Sequence, residues 1–431
     1  MNKIKKKYLW HLIVSRGLVS FGSALTGFGL DIWVYRLTES YALFASIAAL
    51  ATLPPLIVSP FAGFLADKIN KARILTFCEF GTIFLLVVTS VLYKFDQLSA
   101  GYVAGAVFGL ATISEFRYTA ITAIIPSIAD KEQLISANGL QQAFRGTTMV
   151  CAPFLGAAAY QYLGLGTLLM VSASFGMYAI YASTMLVIET QGPKTPITFS
   201  LKAFWSGYVH GFKWLSQQRK LKAIVVHFTT INALIGVSSV LTTTRILDSY
   251  SANFLALIAS SQGVGMLLIG VFLARAGGRF SAEALLFVGS FFLGTSMLVF
   301  GVFNNMPVMA ISAFCIGASI AVIAIANQSI WQENTPAEVH GKIIAIRSMA
   351  LYSFVPATLY VSAPLFPFLK VRLEGVKTAA LLSGWSYTWQ GVLQVTLALL
   401  VMTATVLFFR LSKQTESIAH RGLKNMANEN E

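Results

Sequence analysis

Asp31, Glu79, Glu115, Arg145 and Arg347 stand in stretches that are otherwise almost without charge. An ionised side chain in apolar surroundings is costly unless it is paired, neutralised or used. Asp31, late in the run Leu9–Tyr35, has the chemistry of a proton carrier, and equally that of a partner for Arg36 in water at the end of the run. Arg145 and Arg347 each fall in the first two turns of an apolar run. Arg145 lies about 10 Å into its helix at 1.5 Å per residue. Two readings stand for the pair: snorkelling to lipid phosphates, or lining a cavity and favouring anionic, carboxylate-bearing cargo. Gln141, Gln142, Asn232, Asn327, Gln328 and Trp331 supply hydrogen-bonding and stacking groups to the same regions.

Other chemistries find no support in the spacing. His11, His210, His227, His340 and His420 form no H-E-x-x-H or other metal-ligand pattern. Cys78, Cys151 and Cys315 sit singly in apolar runs, which suits neither a disulfide framework nor a zinc site. No Walker loop occurs. Gly263 and Gly265 belong to an apolar run with no preceding strand, so they make no dinucleotide fingerprint. The expectation is a protein without enzymatic activity, metal or cofactor.

The elements that hold these residues follow from composition. Of 431 residues, 56% are hydrophobic and 11% charged, against about 25% charged in a soluble chain. Lipid must replace the missing polar surface. A spanning helix needs about 20 apolar residues. Twelve runs qualify: Leu9–Tyr35, Tyr41–Phe61, Ile74–Tyr93, Ser99–Ala120, Leu140–Tyr162 and Leu165–Ile188, then Leu221–Leu247, Asn253–Ala274, Ala284–Phe303, Val308–Ile330, Ile343–Phe366 and Trp385–Phe409. They are apolar on nearly every side, unlike the alternating strands of a membrane barrel. The N-terminus MNKIKKKYLW leads into a long first run without a cleavage site, as a retained helix would.

Placing the N-terminus inside puts 21 of the 31 cations in the inner connections and 5 in the outer ones. That bias sets both termini in the cytoplasm. It also makes the net charge of +14 a mark of topology rather than of nucleic-acid binding. The polar stretch from Glu189 to Lys220 divides the chain. Leu201, Trp205, Tyr208, Phe212 and Leu215 recur there at helical spacing among cations, as in a helix lying on the inner membrane surface. The expected organisation is an all-α polytopic membrane protein with twelve transmembrane helices in two pseudo-symmetric six-helix bundles. Residues 1–188 and 221–410 form the bundles, 189–220 the cytoplasmic linker and 411–431 a cytoplasmic tail. The halves echo one another: GFLADKINKAR after the second run has a counterpart in LARAGGRF after the eighth, and ADKEQLISANG one in TPAEVHGK. Two repeats with a site between them suit alternating access.

GFLADKINKAR resembles the signature loop between spans 2 and 3 of the major facilitator superfamily, G-x-L-A-D-[RK]-x-G-[RK]-x-[RK]. LDIWVYRLTES, KEQLISANGL, IWQENTPAEVHGK and the linker SGYVHGFKWLSQQRKLKAI are similar to its bacterial type 3 drug:proton antiporters, the branch of macrolide-efflux and enterobactin-exporter relatives. The resemblance runs from about Leu9 to Phe409. It implies a functional monomer in the bacterial cytoplasmic (inner) membrane that exports small amphipathic compounds (drug, siderophore or peptide-like) against a proton gradient. A carrier taking up a polar or anionic metabolite, and a non-transporting receptor, are the other readings. Asp67 lies one helical turn before Lys71, placed to pair with it or to cap a helix N-terminus, and the resemblance gives Gly63, Asp67, Lys71 and Arg73 the role of a gating latch, which Glu115 is expected to join from its place near the loop. On the plainer reading the loop's cations only set topology. Glu115 is expected to join Arg117. Asp31 is the proton-coupling candidate; Arg145, Arg347, Gln141 and Asn327 are the cavity candidates. Gly146, Pro153 and Gly156 resemble the superfamily's antiporter motif. The sequence departs from the loop pattern at Asn70, usually Gly, and at Ala72, where a basic residue is common. Asp248 is expected to form a surface pair with Arg245.

Overall fold

The computed structural model describes residues 3–38, 47, 50–51, 53–189, 201–336, 341–350 and 388–428. Much of the second and eleventh expected spans, and the start of the twelfth, lie outside these residues, as do the side chains of Asp31, Arg36 and Pro153. The described chain runs through α1 (Lys3–Thr38), α2 (Pro54–Ile57), α3 (Ser59–Lys68), α4 (Lys71–Lys94), α5 (Ala100–Ile128) and α6 (Lys131–Glu189). Then follow α7 (Leu201–Gln217), α8 (Arg219–Ser249), α9 (Ala252–Ala276), α10 (Ala282–Val302), α11 (Met306–Asn334) and α12 (Trp389–Asn428). Residues 341–350 are also helical. Eight helices among the described residues are long and apolar enough to cross a membrane. The fold is an all-helical, membrane-spanning bundle.

Polar residues at the helix starts set the boundaries. Ser99, Ser251, Ser281 and Asn305 accept the backbone N–H groups of Tyr102, Phe254, Ala284 and Val308, so they cap α5, α9, α10 and α11. Each such cap contributes about 1 kcal/mol. The expected spans 5 and 6 are the two arms of α6. They part at Gly164, whose φ of 76° lies in the left-handed region that glycine adopts freely.

The two chain halves meet backbone to backbone. A Cβ on Gly146 would lie 2.6 Å from the Gly263 carbonyl oxygen, and one on Gly270 would lie 2.5 Å from the Ala143 nitrogen. Gly139 approaches Ala274 and Gly277 approaches Ser136 in the same way. These glycines recur every seven residues, at 139 and 146 on α6 and at 263, 270 and 277 along α9 and the turn beyond it. Seven residues are two helical turns, so each set forms one stripe. Lipid removes the hydrophobic drive between helices, and close van der Waals contact through such stripes replaces it.

The linker helix α7 shows its apolar residues on two sides. Phe204 and Tyr208 pack on Phe64 and Ala345, joining both halves, while Trp205, Val209 and Phe212 face outward. The Tyr208 hydroxyl donates to the Pro60 carbonyl. One face of this helix therefore docks on protein, which the expected surface-lying role did not include.

Gly146→Leu should force α6 from α9 and cost about 1–3 kcal/mol of stability, seen as a lower thermal midpoint in detergent. Gly105, with open space around its missing Cβ, provides the control. Equal losses in Gly146→Leu and Gly105→Leu would show that the glycine stripe does not hold the halves together.

Candidate functional site

Among the described residues, several polar contacts join the two halves. Asp67, in the last turn of α3, accepts the backbone N–H of Gly341 at 2.8 Å and that of Lys342 at 3.2 Å. It thus caps the helical residues 341–350, where the helix dipole favours an anion. Lys342 Nζ stands 3.9 Å away, and the Asp67 side chain is 3% exposed. Gly63, one turn earlier, makes this approach possible: a Cβ there would lie 2.5 Å from the Gly341 carbonyl oxygen. Lys71 reaches Asp67 only through its field, and Arg73 is exposed. Burial pushes the Asp67 carboxyl up to about 6, against the pull of the Gly341 N–H, the Lys342 charge and N–H, and the Lys71 charge.

Both departures from the signature loop have a local cause. The Asn70 side chain accepts the Ala72 N–H at 2.9 Å and starts α4, a capping role that glycine lacks a side chain to fill. Ala72 is fully buried in the apolar cluster with Leu75 and Ile124, so a basic side chain has no water to reach.

The acids further along belong to one half. Arg117 forms a two-pronged bond with Glu79, at 2.6 Å and 3.2 Å, and donates to Thr82 at 2.6 Å. Its side chain is 2% exposed. Glu115 instead accepts the Ser59 hydroxyl, so the expected Glu115–Arg117 tie is replaced by Glu79–Arg117. Arg245 also differs from expectation. It is fully buried and donates to the carbonyls of Phe300 and Phe303 and to Gln394, whereas Asp248 accepts from Gln390 at 2.8 Å.

The four cavity candidates fall in two places. Gln141 donates to Asn138 at 3.1 Å, and Asn138 donates to Ser329 and Gln332 on α11, tying the halves together. Arg145 lies two turns beyond Asn138 on the same helix face and is exposed. Across the seam, Arg347 donates to Gln328 at 2.9 Å and lies 5.8 Å from the ring centres of both Phe228 and Trp331. Asn327 is buried, and neither polar atom of its side chain finds a partner among the described residues. A Cβ on Gly156 would come 3.1 Å from Phe28 of α1. The sequence reading missed Asn138. Its signal was present, a polar amide at a regular spacing from Gln141 and Arg145, but facing is not written in one helix.

Asp67 makes the seam depend on pH. Parting from Gly341 returns its carboxyl to water and to the ordinary value of 3.8. The proton therefore binds more tightly when the ends are together. That contribution is fully present below about 3.8 and is lost as pH rises through about 6. Spin labels at Lys68 and Asn334 should report a wider mean separation at pH 8 than at pH 5. The Asp67→Asn variant should show none of this dependence. A flat profile in the parent protein would remove Asp67 as the titrating group.

Glu79→Gln should destabilise the protein by about 3–5 kcal/mol, because it leaves the Arg117 cation buried without its counter-charge. Replacing both residues with apolar ones of similar volume should restore much of the loss. Unfolding in detergent measures each variant, and a double variant no better than Glu79→Gln would contradict the account.

The Major Facilitator Superfamily profile matches residues 12–358. Uncharacterised MFS-type transporters of Mycobacterium bovis and Mycobacterium tuberculosis are 21% identical over 381 residues, covering 83% of this chain and 85% of theirs. Among solved structures, a bacterial homologue of the iron transporter ferroportin, in an outward-facing state, superposes with a TM-score of 0.73 at 13% identity. It covers 94% of this chain and 99% of that one. A human organic anion transporter gives 0.63 at 14% identity, with 94% and 99% covered, and the E. coli fucose:proton symporter gives 0.61 at 13%, with 93% and 98% covered. These structural likenesses show a shared fold. With the profile spanning most of its length, this chain belongs to the Major Facilitator Superfamily of membrane transporters.

Proposed function

We propose that the protein exports small amphipathic compounds across the bacterial inner membrane by alternating access, in exchange for protons. The bodies that rock are residues 1–188 and 221–410, joined by the linker 189–220, with the tail 411–431 and both termini in the cytoplasm. The observation that carries this reading is Asp67 of one half capping the helical residues 341–350 of the other. A contact of this kind closes one face of the bundle and must break for that face to open, as a latch does. Gly63, Lys71 and Arg73 shape its approach and its field.

The polar interior favours a cargo with an apolar body and an acidic group. Arg347 offers a guanidinium framed by two aromatic faces, and Asn327 offers an amide that no described protein group engages. Arg145 adds a second cation on the opposite half. Asp31 is the proposed proton carrier, and Gly146, Pro153 and Gly156 the segment that lets span 5 pack and bend.

Energised inside-out vesicles test direction and coupling together. Export predicts that an amphipathic probe accumulates in them when the pH gradient is established, and that collapsing the gradient abolishes accumulation. Arg347→Ala should lower transport of acidic probes at least tenfold while sparing neutral ones. Uptake into intact cells, with none into inverted vesicles, would reverse the assigned direction. Full proton-driven transport by Asp31→Asn would move the coupling role to another residue.

A further inference from the structure

A cavity is lined entirely by residues of the second half of the chain. It encloses about 810 Å3 between α8, α10, α11 and α12. Its interior is apolar, built from Ile224, Leu286, Phe287, Ala404, Phe408 and Phe409. Its mouth is basic: Arg219, Lys220 and Lys222 line it, with Glu283 as the lone acid among the lining residues. Lys220 already holds Glu283 at 2.7 Å. Arg219 and Lys222 are exposed and make no ion pair among the described residues.

His227, 3% exposed, lines the same cavity about a turn and a half along α8 from Lys222. Its ring stacks on Phe408 with 4.4 Å between centres, and its Nε2 meets the Ser290 hydroxyl at 3.2 Å. Its Nδ1 is buried and has no partner among the described residues. A buried polar atom without a partner asks for one.

We propose that this cavity is a binding site for an anionic phospholipid of the surrounding membrane. The ligand combines the three kinds of group that line the site, cationic, polar and apolar. A phosphate meets Arg219 and Lys222 in charge-assisted hydrogen bonds. The polar glycerol backbone lies at the depth of His227, five residues or about 7.5 Å along α8 from Lys222, with an oxygen for the unpartnered imidazole nitrogen. An acyl chain fills the aromatic-lined interior, where each buried methylene contributes about 0.8 kcal/mol. After the Lys220–Glu283 pair is set aside, two cations remain to match one anionic headgroup. Arg145, Arg347, Gln141 and Asn327 are not among the residues that line this cavity, and the test of the site does not depend on transport.

Native mass spectrometry of the full chain in detergent, titrated with phosphatidylglycerol or with phosphatidylcholine of the same acyl chains, measures the site directly. Phosphatidylglycerol should bind at least tenfold more tightly. The surface double variant Arg219→Gln, Lys222→Gln should bring the two lipids to within about twofold. Ala404→Phe, which fills the interior, should weaken phosphatidylglycerol binding at least fivefold with the cations intact. Equal binding of both lipids by the parent protein would overturn the proposal, as would unchanged phosphatidylglycerol binding in the charge variant. Displacement by inorganic phosphate as readily as by phosphatidylglycerol would reduce the site to a surface anion contact and equally overturn it.

Discussion

Everything at the seam depends on how closely two backbones can approach. Gly63 and Gly341 face each other with each carbonyl oxygen 2.5 Å from where the other's Cβ would stand. A side chain on either would hold the helices apart and carry Asp67 out of reach of the Gly341 and Lys342 N–H groups. The same logic extends along α6 and α9, where glycines two turns apart let the halves touch. In lipid there is little else to bring them together, since apolar side chains are as comfortable against acyl chains as against one another.

Among the described residues, the shortest buried charge pair lies within one half. Glu79 and Arg117 join α4 to α5 with both charges buried, and removing one partner of such a pair costs far more than the intact pair contributes. Arg245 takes a different route to satisfaction, donating to carbonyls near the end of α10 and to Gln394 of α12. Each arrangement ties neighbouring helices of one half together.

The sequence made the spanning architecture legible because apolar runs of about 20 residues have few other uses. It made the signature loop legible because Gly63, Asp67 and Lys71 are spaced as in the superfamily. Pairing was less legible, for a geometric reason. Glu115 and Arg117 are two residues apart, and on a helix such neighbours point to opposite sides; Glu115 faces Ser59 while Arg117 faces Glu79. Arg245 and Asp248 do share a face, but the buried carbonyls reach Arg245 first. Where a helix is apolar all round, no stripe marks the side that meets a neighbour, so Asn138 was indistinguishable from a solvated amide until α11 was seen beside it.

The contrast between the interior of each half and the seam bears on how such a protein moves. Among the described residues, the seam holds neutral amide bonds from Asn138, glycine contacts, the capping carboxylate of Asp67 with Lys342 Nζ 3.9 Å away, and the exposed Lys131–Glu333 pair. An exposed pair contributes at most about 1 kcal/mol, and a helix cap about the same. Asp67 also resists its own burial, as the rise of its carboxyl to about 6 records. A seam fastened by a Glu79–Arg117 type of pair would hold one state too firmly to exchange it for another. Modest contacts, several of them made and broken together, suit the exchange between two states that the proposed transport cycle requires.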